Sequence, residues 1–428
     1  MRIPIESYTL KNGLFVTLSE DHTVPLVAVN LWYHVGSANE KEGRTGFAHL
    51  FEHMLFQGSA HVGANEHFEL IQRAGGTLNG STWLERTNYF ETVPSNQLAL
   101  ALWLEADRMG ALLPAMTQQK LDTQRDVVKN ERRWSVDNQP YGTTLEKLQE
   151  LVFPRTHPFH HSLIGSMEDL SQASLDDVAE FFATYYAPDN AVLTICGDFE
   201  EGEARALVNE YFGDIPRGKK RITRPDMSVP PHFTSPELIR IPDNVGLRRV
   251  FVATRTPPFG SGDFYAASIC AAILGSGKSS RLFKKLVREQ QIAADVSAFT
   301  LDLAKGSDVF VADVTAKPEV SENALVEAVD NEIDSLVTDG VTDAEVNRAA
   351  ALVTTELIKA LETASERADR ISMFATYFGD PALVNEQASK YGEVTAKTVS
   401  AFARKYLARE RRSRLLYVPK DEVVEMQP

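Results

Sequence analysis

The same order of strand and helix signals occurs twice in this chain, once on each side of a proline-rich break, and that repetition points to two similar domains. In the first half, residues 26–35 are rich in β-branched and aromatic side chains, 46–56 carry helical spacing, and 78–82 and 87–93 read as strands. Helices are predicted at 96–109, 118–134 and 175–186, followed by a strand at 190–196. The second half repeats the order: a strand at 247–254, helices at 264–274 and 280–288, strands at 294–300 and 308–315, then long helices from 320 onward. Between the halves, Pro216, Pro225, Pro230, Pro231 and Pro236 lie among basic residues, a composition that suits an extended linker. Phe182 and Tyr186 pair with Phe402 and Tyr406 at an offset of 220, and Phe47 and Gly58 pair with Phe264 and Gly275 at an offset of 217. The expectation is an α+β protein made by internal duplication, with domains at 1–215 and 237–428 joined by a linker at 216–236. A chain of 428 residues also exceeds what one core usually organises.

Charge and cysteine content remove several function classes. A formal charge of -15 argues against a surface that gathers nucleic acid or anionic lipid, since both need clustered Lys and Arg. Cys196 and Cys270 stand far apart with no CxxC pattern, so two buried thiols are expected rather than a disulfide framework or a cysteine-rich metal site. No stretch is apolar for the roughly 18 to 20 residues a membrane span needs. The amino terminus meets polar residues too early for a signal peptide, so the cytoplasm is expected, although a periplasmic chain whose signal had been removed would read the same.

The chemistry concentrates in His49-Leu50-Phe51-Glu52-His53. On a helix, the i, i+4 spacing sets both imidazoles on one face, a turn apart, where two nitrogens can share one tetrahedral ion. Glu52 stands beside that face, placed to take a proton from water rather than to ligate. This is the HxxEH order, the inverse of HExxH. A catalytic zinc site wants a third protein ligand and an open fourth position. Glu131, on the helix predicted at 118–134, is the candidate, and Gln124 falls two turns earlier on the same face, where it can orient a ligand by hydrogen bonding. Taken singly, the two histidines read as core-edge residues and Glu131 as a solvated carboxylate paired with Arg132 or Arg133; taken together they read as a metal site.

These residues resemble the pitrilysin, insulin-degrading and mitochondrial-processing peptidase family, called inverzincins after the HxxEH helix. The resemblance covers nearly the whole chain and is densest from Gly46 to Ser59, in Gly75-Gly76-Thr77-Leu78-Asn79-Gly80-Ser81-Thr82, and in Arg125-Asp126-Val127-Val128-Lys129-Asn130-Glu131. It implies two homologous domains, each a mainly antiparallel sheet covered by helices, forming half of a clamshell that two polypeptides complete. It implies one zinc ion held by His49, His53 and Glu131, with Glu52 as general base. The activity implied is that of a zinc metalloendopeptidase hydrolysing peptides or unfolded segments. It also implies that the strand at Leu78, Asn79 and Gly80 is an edge on which extended substrate lies, which reads backbone without demanding one sequence.

Two positions depart from the family pattern. Where members carry a second glutamate before the third ligand, this chain has Gln124, which can hydrogen-bond a histidine but lends it no charge. Where active members carry an Arg and a Tyr that grip the substrate carbonyl, alignment on Phe283 and Leu286 places Val287 and Ala294, neither of which can donate to an oxyanion. Arg288 is one residue away, so a shifted register would recover the Arg but not the Tyr. A homologous partner supplying that pair is therefore expected, as a heterodimer, with a homodimer left open. Two other readings stand: a noncatalytic scaffold or peptide-binding subunit, and a zinc hydrolase of nonpeptide amides.

Three further features are discounted. Gly275-Ser276-Gly277-Lys278-Ser279 lacks the first glycine of a phosphate loop, since Ala272 stands there. His157-Pro158-Phe159-His160-His161 lacks a shared face and reads as packing or surface. In the second half, Ala266, Ile269 and Cys270 occupy the places of His49, Glu52 and His53, so one metal site per chain is expected.

Overall fold

The structure is a computed structural model that describes residues 2–230 and 237–421. Pro231 and Pro236 of the expected linker fall outside the described residues, and 216–230 form neither helix nor strand. In chain order the first half comprises β1 (Glu6–Thr9), β2 (Phe15–Glu20), β3 (Leu26–Tyr33), α1 (Phe47–Met54), α2 (Glu66–Arg73), β4 (Thr77–Thr82), β5 (Thr87–Pro94), α3 (Leu98–Ala111), α4 (Gln118–Arg132), α5 (Thr144–Val152), α6 (Met167–Gln172), α7 (Leu175–Tyr185), β6 (Ala191–Gly197) and α8 (Glu201–Phe212). The second comprises β7 (Leu238–Asp243), β8 (Arg249–Thr256), α9 (Gly262–Gly275), β9 (Ala293–Thr300), β10 (Asp308–Ala316), α10 (Glu322–Asp339), α11 (Asp343–Ala360), α12 (Ala364–Phe378), α13 (Gln387–Gly392), α14 (Ala396–Tyr406) and β11 (Ser413–Pro419).

The first sheet runs β1-β2-β6-β3-β5-β4 and the second β7-β11-β8-β10-β9. With β1 set aside, the two orders agree strand for strand. Each sheet has one parallel pair at the same place, β2 with β6 and β7 with β11, and antiparallel neighbours elsewhere. The duplication expected from a few matched residues is thus present in the topology. The landmark helices also begin alike: Ser174 and Asp177 form a capping box at α7, and Thr395 and Thr398 form one at α14. The landmark aromatics serve packing. Tyr186 sits 4.4 Å from the Phe51 ring of α1, with Phe181 at 5.5 Å and Phe182 at 6.0 Å, so α7 seats the buried side of the HxxEH helix.

Compact units cut across the two halves. One unit contains Met1–Arg132, His161–Pro225 and Ile358–Gln387; the other contains Arg133–His160, Asp226–Leu357 and Ala388–Pro428. Each half therefore lends a helix to the other half's sheet. In the first unit, α12 covers β3 and β6: Ser372 Oγ bonds Thr194 Oγ1 at 2.6 Å, Trp32 Nε1 donates to Asp369 at 3.0 Å, and Trp32 meets Tyr377 edge to face. In the second, the segment leading into α5 is held by Tyr141 donating to the Leu247 carbonyl at 2.7 Å and by Thr143 bonding Tyr417 at 2.9 Å. Each sheet needs an apolar cover, and the covering helix need not be its neighbour in sequence.

Two expected helices change character at their ends. The segment expected as a helix at 280–288 forms π-helical turns over Phe283–Glu289, and the wider turn sets the Arg288 guanidinium 5.6 Å from the Phe283 ring, five residues earlier. The helix expected at 118–134 ends as α-helix at Arg132 and continues as a π-helical turn over Arg133–Asp137. Among the described residues, no helix is long and apolar enough to cross a membrane.

Candidate metal centre

α1 is a short helix with two unlike sides. Leu50, Phe51 and Met54 are buried in the core of the first unit, while His49, Glu52 and His53 line a cavity of about 610 Å³. The i, i+4 spacing brings the His49 and His53 ring centroids to 4.8 Å. α4 lies against α1 and presents Glu131, whose Oε1 is 3.6 Å from His49 Nε2 and whose Oε2 is 3.2 Å from His53 Nε2. Two donors sharing a tetrahedral ion at roughly 2.1 Å each are separated by about 3.4 Å. Glu131 therefore stands near ligand spacing from each histidine, the three donor atoms lie within 4.8 Å of one another, and two imidazoles and one carboxylate match what zinc takes in an open site.

The electrostatics divide the two histidines, and metal binding at His53 would have to displace a proton. Burial, reinforced by the neighbouring His53, pushes His49 down to about 4, so its nitrogens carry no extra proton at neutral pH. Burial also opposes a charged His53, but the hydrogen bond and charge of Glu131 outweigh it and hold His53 above its ordinary value. The His53 hydrogen bond in turn keeps Glu131 below the usual carboxylate range. Gln124 is buried and lines the same cavity, where it favours the protonated form of His53.

Glu52 points into the same cavity from a different anchor. Thr82, at the end of β4, donates to Glu52 Oε2 at 2.5 Å, and the other oxygen lies beside Gly80. Burial raises the Glu52 carboxyl above its usual range, against the lowering effects of Thr82, His53 and Arg86. β4 closes the sheet at one edge. Asn79 and Gly80 line the cavity, whereas Leu78 packs against the apolar core. A Cβ on Gly80 would lie 3.0 Å from Glu52 Oε1 and 3.1 Å from Phe56 Cε2, so a glycine is what lets the strand pass this close to the carboxylate.

Sequence reasoning missed Thr82, whose partner lies 30 residues away and which no local spacing announces. It also missed a second trio of possible ligands, His67, Glu91 and Glu105, all buried. That trio already holds a cation of its own: Arg108 pairs with Glu105 and Glu91 and lies 4.2 Å from the Tyr89 ring. Of the discounted histidines, His157 stacks on Phe153 at 4.6 Å and His160 bonds the Phe153 carbonyl, as packing residues do. In α9, Ala266, Ile269 and Cys270 are all buried among apolar neighbours.

Known proteins resemble this chain over most of its length. Residues 15–164 match the model of insulinase (peptidase family M16), and residues 172–353 match that of the peptidase M16 inactive domain. A zinc protease PqqE of Helicobacter pylori is 30% identical over 374 residues, covering 87% of this chain and 83% of that one. A probable mitochondrial-processing peptidase subunit beta of Arabidopsis thaliana is 25% identical, covering 93% of this chain and 75% of that one. The crystal structure of a protease from Helicobacter pylori superposes with a TM-score of 0.91 at 26% identity, covering 98% of this chain and 100% of the other. On the full-length likeness, the repeated sheet and the matched models, the chain belongs to peptidase family M16, the insulinase family.

Proposed function

We propose that the chain is a zinc-dependent endopeptidase subunit that hydrolyses peptides or unfolded polypeptide segments. The observation that carries this reading is the convergence of His49, His53 and Glu131, with donor atoms within 4.8 Å of one another, in one cavity with Glu52 and beside the edge strand β4. When bound by those three residues, zinc would supply Lewis acidity, lowering the pKa of water and polarising a carbonyl. Glu52 then does the proton work: it takes a proton as water attacks the scissile carbonyl and returns it to the leaving amine. Thr82 holds one Glu52 oxygen still, so the other keeps its aim. β4, with Asn79 and Gly80 at the cavity, offers backbone donors and acceptors to an extended substrate, and Leu78 stiffens the strand from the core side.

Val287 lies in the π-helical turn and Ala294 on β9, and neither side chain can donate to a developing oxyanion. A π-helical turn absorbs one extra residue, which favours a register that puts Arg288 where family members carry Arg; the Tyr still has no counterpart. A homologous second subunit supplying the Arg and Tyr is the reading we favour, and the likeness to a processing-peptidase subunit supports it. The same gap favours a second reading, a peptide-binding subunit without activity. Assay of an unstructured peptide by the purified chain, alone and with its homologue, together with the Glu52→Gln variant, separates them. Turnover that requires Glu52 supports a peptidase; zinc and peptide binding without turnover in either preparation supports the scaffold.

A further inference from the structure

Two helices from separate parts of the sequence must meet within a few tenths of an ångström for His49, His53 and Glu131 to share an ion, and one short loop touches the supports of both. The amino end of α1 has an unusual cap. Glu40, six residues upstream, turns fully inward and accepts from the Gly46 amide at 2.9 Å and the Ala48 amide at 2.7 Å, satisfying donors that the first turn leaves open. His161 holds Glu40 in place: its Nε2 lies 2.9 Å from Glu40 Oε2 and 3.0 Å from the Ser37 carbonyl. With two acceptors facing it, that nitrogen carries the hydrogen.

Four residues on, the same loop reaches α4. The Gly165 carbonyl accepts from Arg132, the residue after Glu131, at 2.7 Å. Gly165 and Gly46 meet backbone to backbone, both at positive φ (80° and 82°), and a Cβ on either would run into the other's strand of chain. Asp169 completes the joint by accepting from the Thr45 amide and hydroxyl at 2.9 and 2.6 Å. Leu163, between the two attachment points, lines the metal cavity.

We infer that the loop at 161–165 is a brace that sets the distance between the helix bearing His49 and His53 and the helix bearing Glu131, with Glu40, His161 and Arg132 as positioning residues. This rests on reading the three as a metal site. The brace acts on the amide end of one helix and on the guanidinium beside the third ligand, and so on spacing rather than on donor strength.

The test is zinc affinity by chelator competition in the full chain, set beside the melting temperature of the metal-free protein. His161→Ala and Arg132→Met should each weaken zinc binding by about tenfold, the range seen when outer supports of metal ligands are removed. Metal-free melting should move far less than such a loss would require of general unfolding. His161→Gln keeps an N–H donor for Glu40 and should recover most of the affinity, and because both attachments act through one loop, the double variant should lose less than the product of the singles. If His161→Ala does not fold, Arg132→Met and His161→Gln still decide the matter. Unchanged zinc affinity in Arg132→Met, or affinity that falls only in step with metal-free stability, overturns the brace. A wild-type chain that takes up no zinc overturns the metal reading and this inference with it.

Discussion

α1 and α9 occupy matching places in two sheets of the same strand order, yet they do opposite work. Along α9 the side chains from Phe264 to Leu274 are buried on nearly every side, so the helix serves the core of its unit. α1 is shorter, and it gives up that burial on one side, where His49, Glu52 and His53 face a cavity. The fold supports either use, and what distinguishes them is whether the polar side finds partners. Around α1 most of it does, in Glu131, Thr82 and the Glu40 cap. Ile269 in α9 stands where Glu52 stands in α1, and an apolar residue there has no such need.

Exchanging the tests between these helices sharpens the contrast. Glu52→Gln should lower kcat by about 10²–10⁴-fold, the usual share of general acid–base catalysis, while zinc content and melting temperature stay near wild type; an active variant would mean another base. Ile269→Ala should do the reverse. It should destabilise the fold by about 2–5 kcal/mol, read by denaturant unfolding, with zinc affinity unchanged. Thr82→Val removes a hydrogen bond to a charged group worth roughly 1.5–3 kcal/mol, so kcat should fall about tenfold or more at constant zinc affinity. A KM effect alone would place Thr82 in substrate binding instead. The smallest expected change is a gain: Gln124→Glu adds charge beside His53 and should tighten zinc by up to about tenfold, measured by chelator competition.

The sequence spoke clearly wherever local spacing carried the information. Alternating β-branched residues gave β3, the i, i+4 histidines placed one face of α1, and the second-half residues Ala266, Ile269 and Cys270 announced a helix with no ligands. It was silent wherever function depends on partners distant in the chain. Thr82 meets Glu52 across 30 residues and His161 meets Glu40 across 121, and neither pairing leaves a periodic trace. The helix exchange was hidden for the same reason, because an apolar helix face does not say which sheet it will cover. His161 was discounted with its neighbours for want of a shared face, a criterion that says nothing of which distant residue an imidazole meets. The π-helical turns escaped because Phe283 and Leu286 keep ordinary helical spacing, while the wider turn shows only in the meeting of Arg288 with Phe283.

The most direct measurement is the metal content of the purified chain after chelation and re-addition of zinc, compared with that of His53→Ala by elemental analysis. One zinc per wild-type chain and none in the variant is the expected result. A wild-type chain that stays empty, or a variant that binds as much zinc as wild type, would contradict the assignment of His49, His53 and Glu131 as its ligands.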